Sequence, residues 1–300
     1  MFMKMFLLLA CCAVYTISNG QENALMGSKD STAIRPKPVK TTFKASRVVN
    51  MQTVESPKKG VLSFVIQHRF GQLNSGSYNF FGLDNATLRL GLDYAITDRL
   101  VVGVGRTSYL KTFDAFFKYK LLRQTDPAYS MPVSVSFLAT TATYTQKIPG
   151  KEYLNFQYRS AYTLQALIAR KFNRHFSLQI TPAYIHYNLV PTGADKNDIL
   201  ALSGGGRYKF TQRSSVSVEY NFLLPNQVNS FTPTNSLSFG YDIETGGHVF
   251  QLVFSNSQTM LETQYLSQTT GKWNKGDIYF GFNISRDFAI TKHARKNVEY

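Results

Sequence analysis

From Val61 onward the chain alternates apolar and polar residues with a period of two. In "ATLRLGLDYA", Leu88, Leu90, Leu92 and Tyr94 fall on one face, and Thr87, Arg89, Gly91 and Asp93 on the other. "SSVSVEYNF" sets Val216, Val218, Tyr220 and Phe222 against Ser217, Glu219 and Asn221, while "NSLSFGYDIE" and "GDIYFGFNIS" repeat the arrangement. An extended strand sends successive side chains to opposite faces, so this pattern predicts strands. After the first 20 residues no segment carries a convincing helical period. Twelve such segments start near 61, 86, 99, 112, 131, 156, 174, 198, 213, 235, 247 and 276. Each runs to roughly 9–14 residues, at or above the roughly 9–11 that a tilted strand needs to cross a bilayer. Strands of soluble sandwiches are usually shorter, about 5–6 residues.

The links alternate as well. "ITDR", "KFNR", "TQRS" and "ETGGH" are short, whereas "QLNSGSYNFFGLDN", "QKIPGKEYLN", "VPTGADKND", "LPNQVNSFTP" and "NSQTMLETQYLSQTTGKWNK" are long. Short turns on one side and long loops on the other are the habit of outer-membrane barrels. Two links break the rule, since "TSYLK" is brief on the long side and "RQTDPAYSM" is extended on the short side. The expected fold is all-β: a single antiparallel transmembrane β-barrel of about 12 strands. Its apolar faces meet lipid and its polar faces enclose a small wet interior.

The N-terminus agrees with export. "MFMKMFLLLACCAVYTISNG" has Lys4, an apolar run from Phe6 to about Ile17, and the small residues Ser18 and Gly20, which is the layout of a cleaved signal peptide over 1–20. Its apolar core is too short to span a membrane. Both cysteines, Cys11 and Cys12, lie within it, so the mature chain has no disulfide and no thiolate site. Residues 21–60 read as a polar, basic periplasmic segment, 61–288 as the barrel, and 289–300 as a basic tail.

The formal charge is +15, with 33 Lys and Arg against 18 Asp and Glu. Charge alone would favour nucleic acid, but export argues against it, and an anionic membrane surface remains. The expected partners are outer-membrane lipid including lipopolysaccharide, the barrel-assembly machinery during biogenesis, and a periplasmic partner for the basic ends. No cofactor is expected.

Candidate chemistry is sparse. In "VLSFVIQHRFG", His68 and Phe70 share the lipid face with Leu62, Phe64 and Ile66, which suits a ring at the membrane interface better than a catalytic base. His186 and His248 fall near strand ends, with no G-x-S-x-G nucleophile context and no H-E-x-x-H zinc pair. "GADKND" lacks an EF-hand pattern, and "SGGGRYKF" leads into a strand, so its glycines permit a bend or close packing. No catalytic or metal residue is assigned. The polar faces gather Arg69, Arg89, Lys118, Lys120, Arg159, Arg207 and Lys209 with Asp93, Asp114, Glu219, Asp242 and Glu244. These are the candidate pore-lining residues. They make either a salt-bridged filling of the lumen or, because bases outnumber acids, an anion-preferring pore.

"FVIQHRFG", "FGLDNATLRLGLDYAITDRL", "FQLVFSNSQTMLETQYL" and "GDIYFGFNISRDF" resemble a membrane-bound β-barrel family of unknown function from Bacteroidota, over about residues 42–288. The resemblance implies an outer-membrane barrel and brings no activity or catalytic residue. The last strand also resembles an assembly signal, alternating Phe280, Phe282 and Ile284 up to Phe288, with Arg286 at a position usually apolar. The functional expectation is a non-enzymatic, porin-like passive channel for small solutes. The alternatives are a closed structural or docking barrel and an outer-membrane hydrolase.

Overall fold

In a computed structural model, which describes residues 37–126, 130–245, 247–291 and 294–295, twelve antiparallel strands close into one barrel. The strands are β1 Val61–Gln72, β2 Ala86–Ala95, β3 Leu100–Thr107, β4 Thr112–Leu122, β5 Ser134–Tyr144 and β6 Ser160–Lys171. They continue with β7 Phe176–Tyr187, β8 Asp198–Lys209, β9 Ser214–Leu223, β10 Ser236–Thr245, β11 His248–Ser255 and β12 Tyr279–Ala289. Every strand pairs with the next, and β12 returns to β1 through pairs such as Ile284 with Ile66 and Asn283 with Gln67. Closure leaves no sheet edge unpaired, which is the condition for strands to sit in hydrocarbon.

The strand starts lie within about four residues of those read from the alternation. The signal-peptide region 1–20, residues 21–36 and most of the basic tail lie outside the described residues. Tight turns occupy 96–99, 172–175 and 210–213 at one end, where the link between β10 and β11 is also short; long loops occupy 73–85, 145–159, 188–197, 224–235 and 256–278 at the other. The brief link 108–111 is present, and the turn-end link between β4 and β5 is described over 123–126 and 130–133.

Facing follows the alternation strand by strand. Along β1 and β2 the polar set is buried while the apolar set is outside. Leu90 and Phe239 are 42% and 40% exposed, whereas Arg89, Glu219 and Ser238 are 0% exposed. A water-soluble domain does the reverse. His68 is outside, stacked on Phe282 with centroids 4.9 Å apart and edge-on to Phe70 at 4.4 Å. No described helix is long and apolar enough to cross a membrane.

The interior departs from the expectation of a wet lumen. Residues 41–55, read as part of a periplasmic segment, run inside the barrel from the turn end. Lys37–Pro38 pairs with Thr125–Asp126 at that end, and the chain then forms a tight hairpin whose tip is Val48–Met51. From the loop end, the 256–278 loop folds inward and carries a one-turn helix, α1 (Glu262–Ser267), whose six residues are all buried. Phe43, Val48, Val49, Met51 and Val54 of the hairpin join Tyr265 and Leu266 of α1 and inward apolar residues of the wall in one core. The reason is geometric. The polar pattern prescribes which face looks inward but not what fills the space, and two internal segments supply that filling.

Candidate functional site

The hairpin tip and the ring of wall residues that receives it form the candidate site. The backbone N–H groups of Val49, Asn50 and Met51 all donate to Glu219 Oε2, at 3.1, 2.9 and 2.9 Å. Tip carbonyls are met as well. Gln251 Nε2 donates to Val48 O at 2.6 Å and Asn283 Nδ2 to Val49 O at 2.9 Å. Gln179 grips the descending arm twice, accepting from Val54 N at 3.0 Å and donating to Gln52 O at 2.7 Å. Arg69 reaches Asn50 Oδ1 at 2.8 Å, and Lys118 Nζ reaches Glu55 O at 2.6 Å. A hairpin outside any sheet has backbone groups that need partners when buried, and the wall provides them through side chains.

Two further networks lie beside the tip. Arg89 holds Asp114 in a two-pronged pair, Nε to Oδ1 at 3.0 Å and Nη2 to Oδ2 at 2.5 Å, while Nη1 donates to Gln67 Oε1 at 3.0 Å. Arg207 joins Glu244 at 2.6 Å and Ser215 at 2.8 Å; Ser215 and Ser217 both donate to Asp242, and Gln251 bonds Asp242 as well. At the hairpin base Lys44 pairs with Glu244 at 3.4 Å. Where the two inserted segments meet, Arg47 lies 3.5 Å from Glu262 of α1, with both side chains 6% exposed.

The candidate pore-lining residues therefore need correction. Arg69, Arg89, Asp93, Lys118, Arg207, Glu219 and Asp242 are buried, so they line no open water path in this structure; the inserted hairpin, α1 and their own ion pairs cover them. Asp114, Lys120, Lys209 and Glu244 are half-buried. Arg159 belongs elsewhere. It sits in the loop-end wall, donating to Leu154 O and Gln146 O, with its guanidinium 5.2 Å from the Tyr144 ring centre. The residues that the charge pattern missed are the amides Gln179, Gln251 and Asn283. Their only signal is an inward register position.

Gly205 explains part of the "SGGG" stretch. A Cβ there would lie 2.5 Å from Met51 Cε and 3.1 Å from Val48 Cγ2, so the absent side chain makes room for the hairpin tip. Gly205→Leu is expected to push the hairpin out of its seat without disturbing the lipid face. Limited proteolysis of folded protein checks this: cleavage within 41–55 should become faster than in the parent, with the barrel fragment intact.

A cavity lies at each end. The loop-end cavity is about 690 Å³ and is walled by Tyr109, Tyr144, Tyr153, Tyr158 and Phe231, with Gln264 and Ser267 of α1 beneath. The turn-end cavity is about 510 Å³ and includes Thr42, Glu55, Lys58, Asp98, Lys120 and Arg123. No residue lines both. Across the loop end, Asp195 accepts from Asn229 N at 2.6 Å, Ser230 N at 2.9 Å and Thr192 Oγ1 at 2.8 Å, clamping loops 188–197 and 224–235 together. Those donors hold its carboxyl well below the usual carboxylate range.

Of the histidines, His186 Nδ1 meets Asp198 Oδ1 at 2.7 Å and His175 meets a backbone carbonyl. Among the described residues no serine or threonine hydroxyl is bonded to a histidine, and no group of three His, Cys, Asp or Glu could hold a metal ion.

The closed barrel with its apolar face outward agrees with a family comparison. The chain belongs to the family described as "Membrane bound beta barrel domain". The match spans residues 43–288, so it takes in nearly all of the hairpin and every strand, stopping one residue short of the end of β12. The protein is accordingly a membrane-bound β-barrel. No curated protein matches it significantly. Among solved structures, the NanC porin superposes with a TM-score of 0.49 at 8% identity, over 75% of this chain and 98% of that one. The KdgM porin gives 0.47 at 7% identity, over 75% and 99%. The COG4313 outer membrane channel from Pseudomonas putida F1 gives 0.45 at 14% identity, over 78% and 97%.

Proposed function

We propose that this protein is an outer-membrane channel for small solutes, anions preferred, that its own N-terminal hairpin holds shut. The observation that carries the reading is that the hairpin lies in the lumen without belonging to the barrel's ladder. Its backbone is bonded to wall side chains, while β12 pairing with β1 closes the sheet independently. It can therefore leave without breaking any strand pairing.

The wall chemistry supports the same reading. Buried ion pairs are commonly no more stable than apolar groups of similar volume, so a lumen sealed for good gains little from them. Inward Arg69, Arg89, Lys118 and Arg207 suit a surface that becomes wet when the hairpin moves. Inward bases outnumber inward acids, which favours anions. No catalytic role is assigned. The partners proposed are the lipid of the outer membrane with its lipopolysaccharide and the assembly machinery that would read β12. A periplasmic protein contacting the basic ends is the remaining proposal, and nucleic acid is not among them.

Planar-bilayer recording on the full chain and on a variant lacking residues 41–55 tests this. The full chain should be mostly silent, and the deletion should give discrete, anion-selective steps. Silence from both, with the variant folded by its heat-dependent gel mobility, would establish a permanently closed barrel and overturn the proposal.

A further inference from the structure

We infer that the loop-end cavity is a binding site for an acidic saccharide. Its volume of about 690 Å³ falls within the roughly 300–1,000 Å³ typical of small-molecule sites. Three independent features define the ligand.

Tyrosines make the walls. Tyr109, Tyr144, Tyr153 and Tyr158 present ring surface, the kind of surface that the C–H face of a sugar ring covers while leaving its hydroxyls free.

The floor holds an unused acceptor. Gln264 is 4% exposed and lines the cavity, and its buried Oε1 has no hydrogen-bond partner. An unpartnered buried acceptor is costly, and a ligand hydroxyl donating to it would remove that cost. The neighbouring floor groups are already engaged: Tyr187 Oη donates to Thr263 O and meets Ser267 Oγ at 2.7 Å.

The rim is cationic. Lys151 and Lys196 line the cavity, and neither ammonium has an ion-pair or hydrogen-bond partner among the described residues. Arg159 uses Nε and Nη1 for loop carbonyls and leaves Nη2 without a protein acceptor. The one carboxylate lining the cavity, Asp195, is saturated by loop N–H and hydroxyl donors. Against Lys151, Lys196 and Arg159, the single charge of Asp195 leaves the lining net positive, which selects a carboxylate on the sugar over a neutral one.

The site rests on the channel reading for its purpose, as the place where a solute waits above the hairpin. Binding is measurable without conduction, so the two can fail separately. Titration calorimetry on the full chain in detergent would use three probes: a glucuronic-acid-containing disaccharide, neutral cellobiose, and inorganic sulfate. The acidic disaccharide should bind at least tenfold more tightly than cellobiose and than sulfate. Lys151→Gln with Lys196→Gln, which removes two charges and no internal contact, should abolish most of that preference. Gln264→Leu should weaken both sugars and leave sulfate unchanged. Equal affinity for cellobiose, sulfate matching the acidic sugar, or no heat from any probe with correctly folded protein would each overturn the assignment.

Discussion

Glu219→Ala is expected to unseat the N-terminal hairpin and raise the open fraction of the channel by a hundredfold or more. One carboxylate oxygen receives three consecutive backbone N–H groups at the tip, and the residue is fully buried. Removing it leaves three N–H donors dry. Each unpaired buried donor costs about 1–3 kcal/mol, so the seated state loses several kcal/mol relative to a hydrated, unseated one. Each 1.4 kcal/mol is a factor of about ten in that equilibrium. Not all of it will be realised. Gln251, Asn283 and Arg69 still hold the tip, Gln179 and Lys118 the arm behind it, and water can reach a loosened hairpin. Glu219→Gln keeps an acceptor oxygen and should release the hairpin less. The measurement is the mean current per inserted molecule at fixed voltage, with the order alanine above glutamine above parent. No change with alanine would show that the carboxylate does not hold the seated state.

Arg89→Ala is expected to destabilise the folded barrel by about 3–5 kcal/mol, the usual cost of breaking a buried ion pair from one side. The lost guanidinium is 0% exposed and makes three hydrogen bonds, two to Asp114 and one to Gln67. Its removal strands a carboxylate whose side chain is 8% exposed. The surroundings are cut to fit it. A Cβ on Gly105 would lie 2.6 Å from Arg89 Nη2 and one on Gly91 2.8 Å from Nη1, so the space left behind has no neighbouring side chain to fill it. Arg89→Lys should recover little, because a lysine cannot reproduce the two-pronged pairing. Replacing both partners with apolar residues, Arg89→Met with Asp114→Leu, should recover most of the loss. Urea unfolding in detergent, followed by tryptophan fluorescence and gel mobility, reads the difference. Equal stability of Arg89→Ala and parent would mean that the pair contributes nothing.

Both results turn on the polar interior, which was legible only in part. The inward charged residues from Arg69 to Glu244 could be named from alternation, because a strand's facing depends on its own sequence. Their partners could not. Asn50 and Glu219 are 169 positions apart, and Val48 and Gln251 are 203 apart. Residues 41–55 carry buried Phe43, Val48, Val49, Met51 and Val54, but their sequence shows only the weak alternation of "TFKASRVVNM", which allows a short strand against the barrel and does not indicate a hairpin inside it. The loop bearing α1 gave one overlooked hint. Met260, Leu261, Tyr265 and Leu266 cluster at helical spacing within an otherwise polar stretch, and all four are buried.

The amino-acid pattern by itself determined the strand number, the face each strand turns outward, the loop asymmetry and the antiparallel meander. The strands and the residues that share a face follow from a local period of two repeated at regular intervals, while the choice of the apolar face as the outer one also drew on the signal-like N-terminus, the strand lengths, the unequal loops and the absence of cysteine after residue 20. Only the tertiary structure decided that the lumen is filled, which side chains hold the filling, and that the cavities at the two ends share no lining residue. A tight turn buried by contacts to strands more than a hundred residues away leaves at most a weak alternation in its own sequence, since its burial is a property of the closed barrel around it.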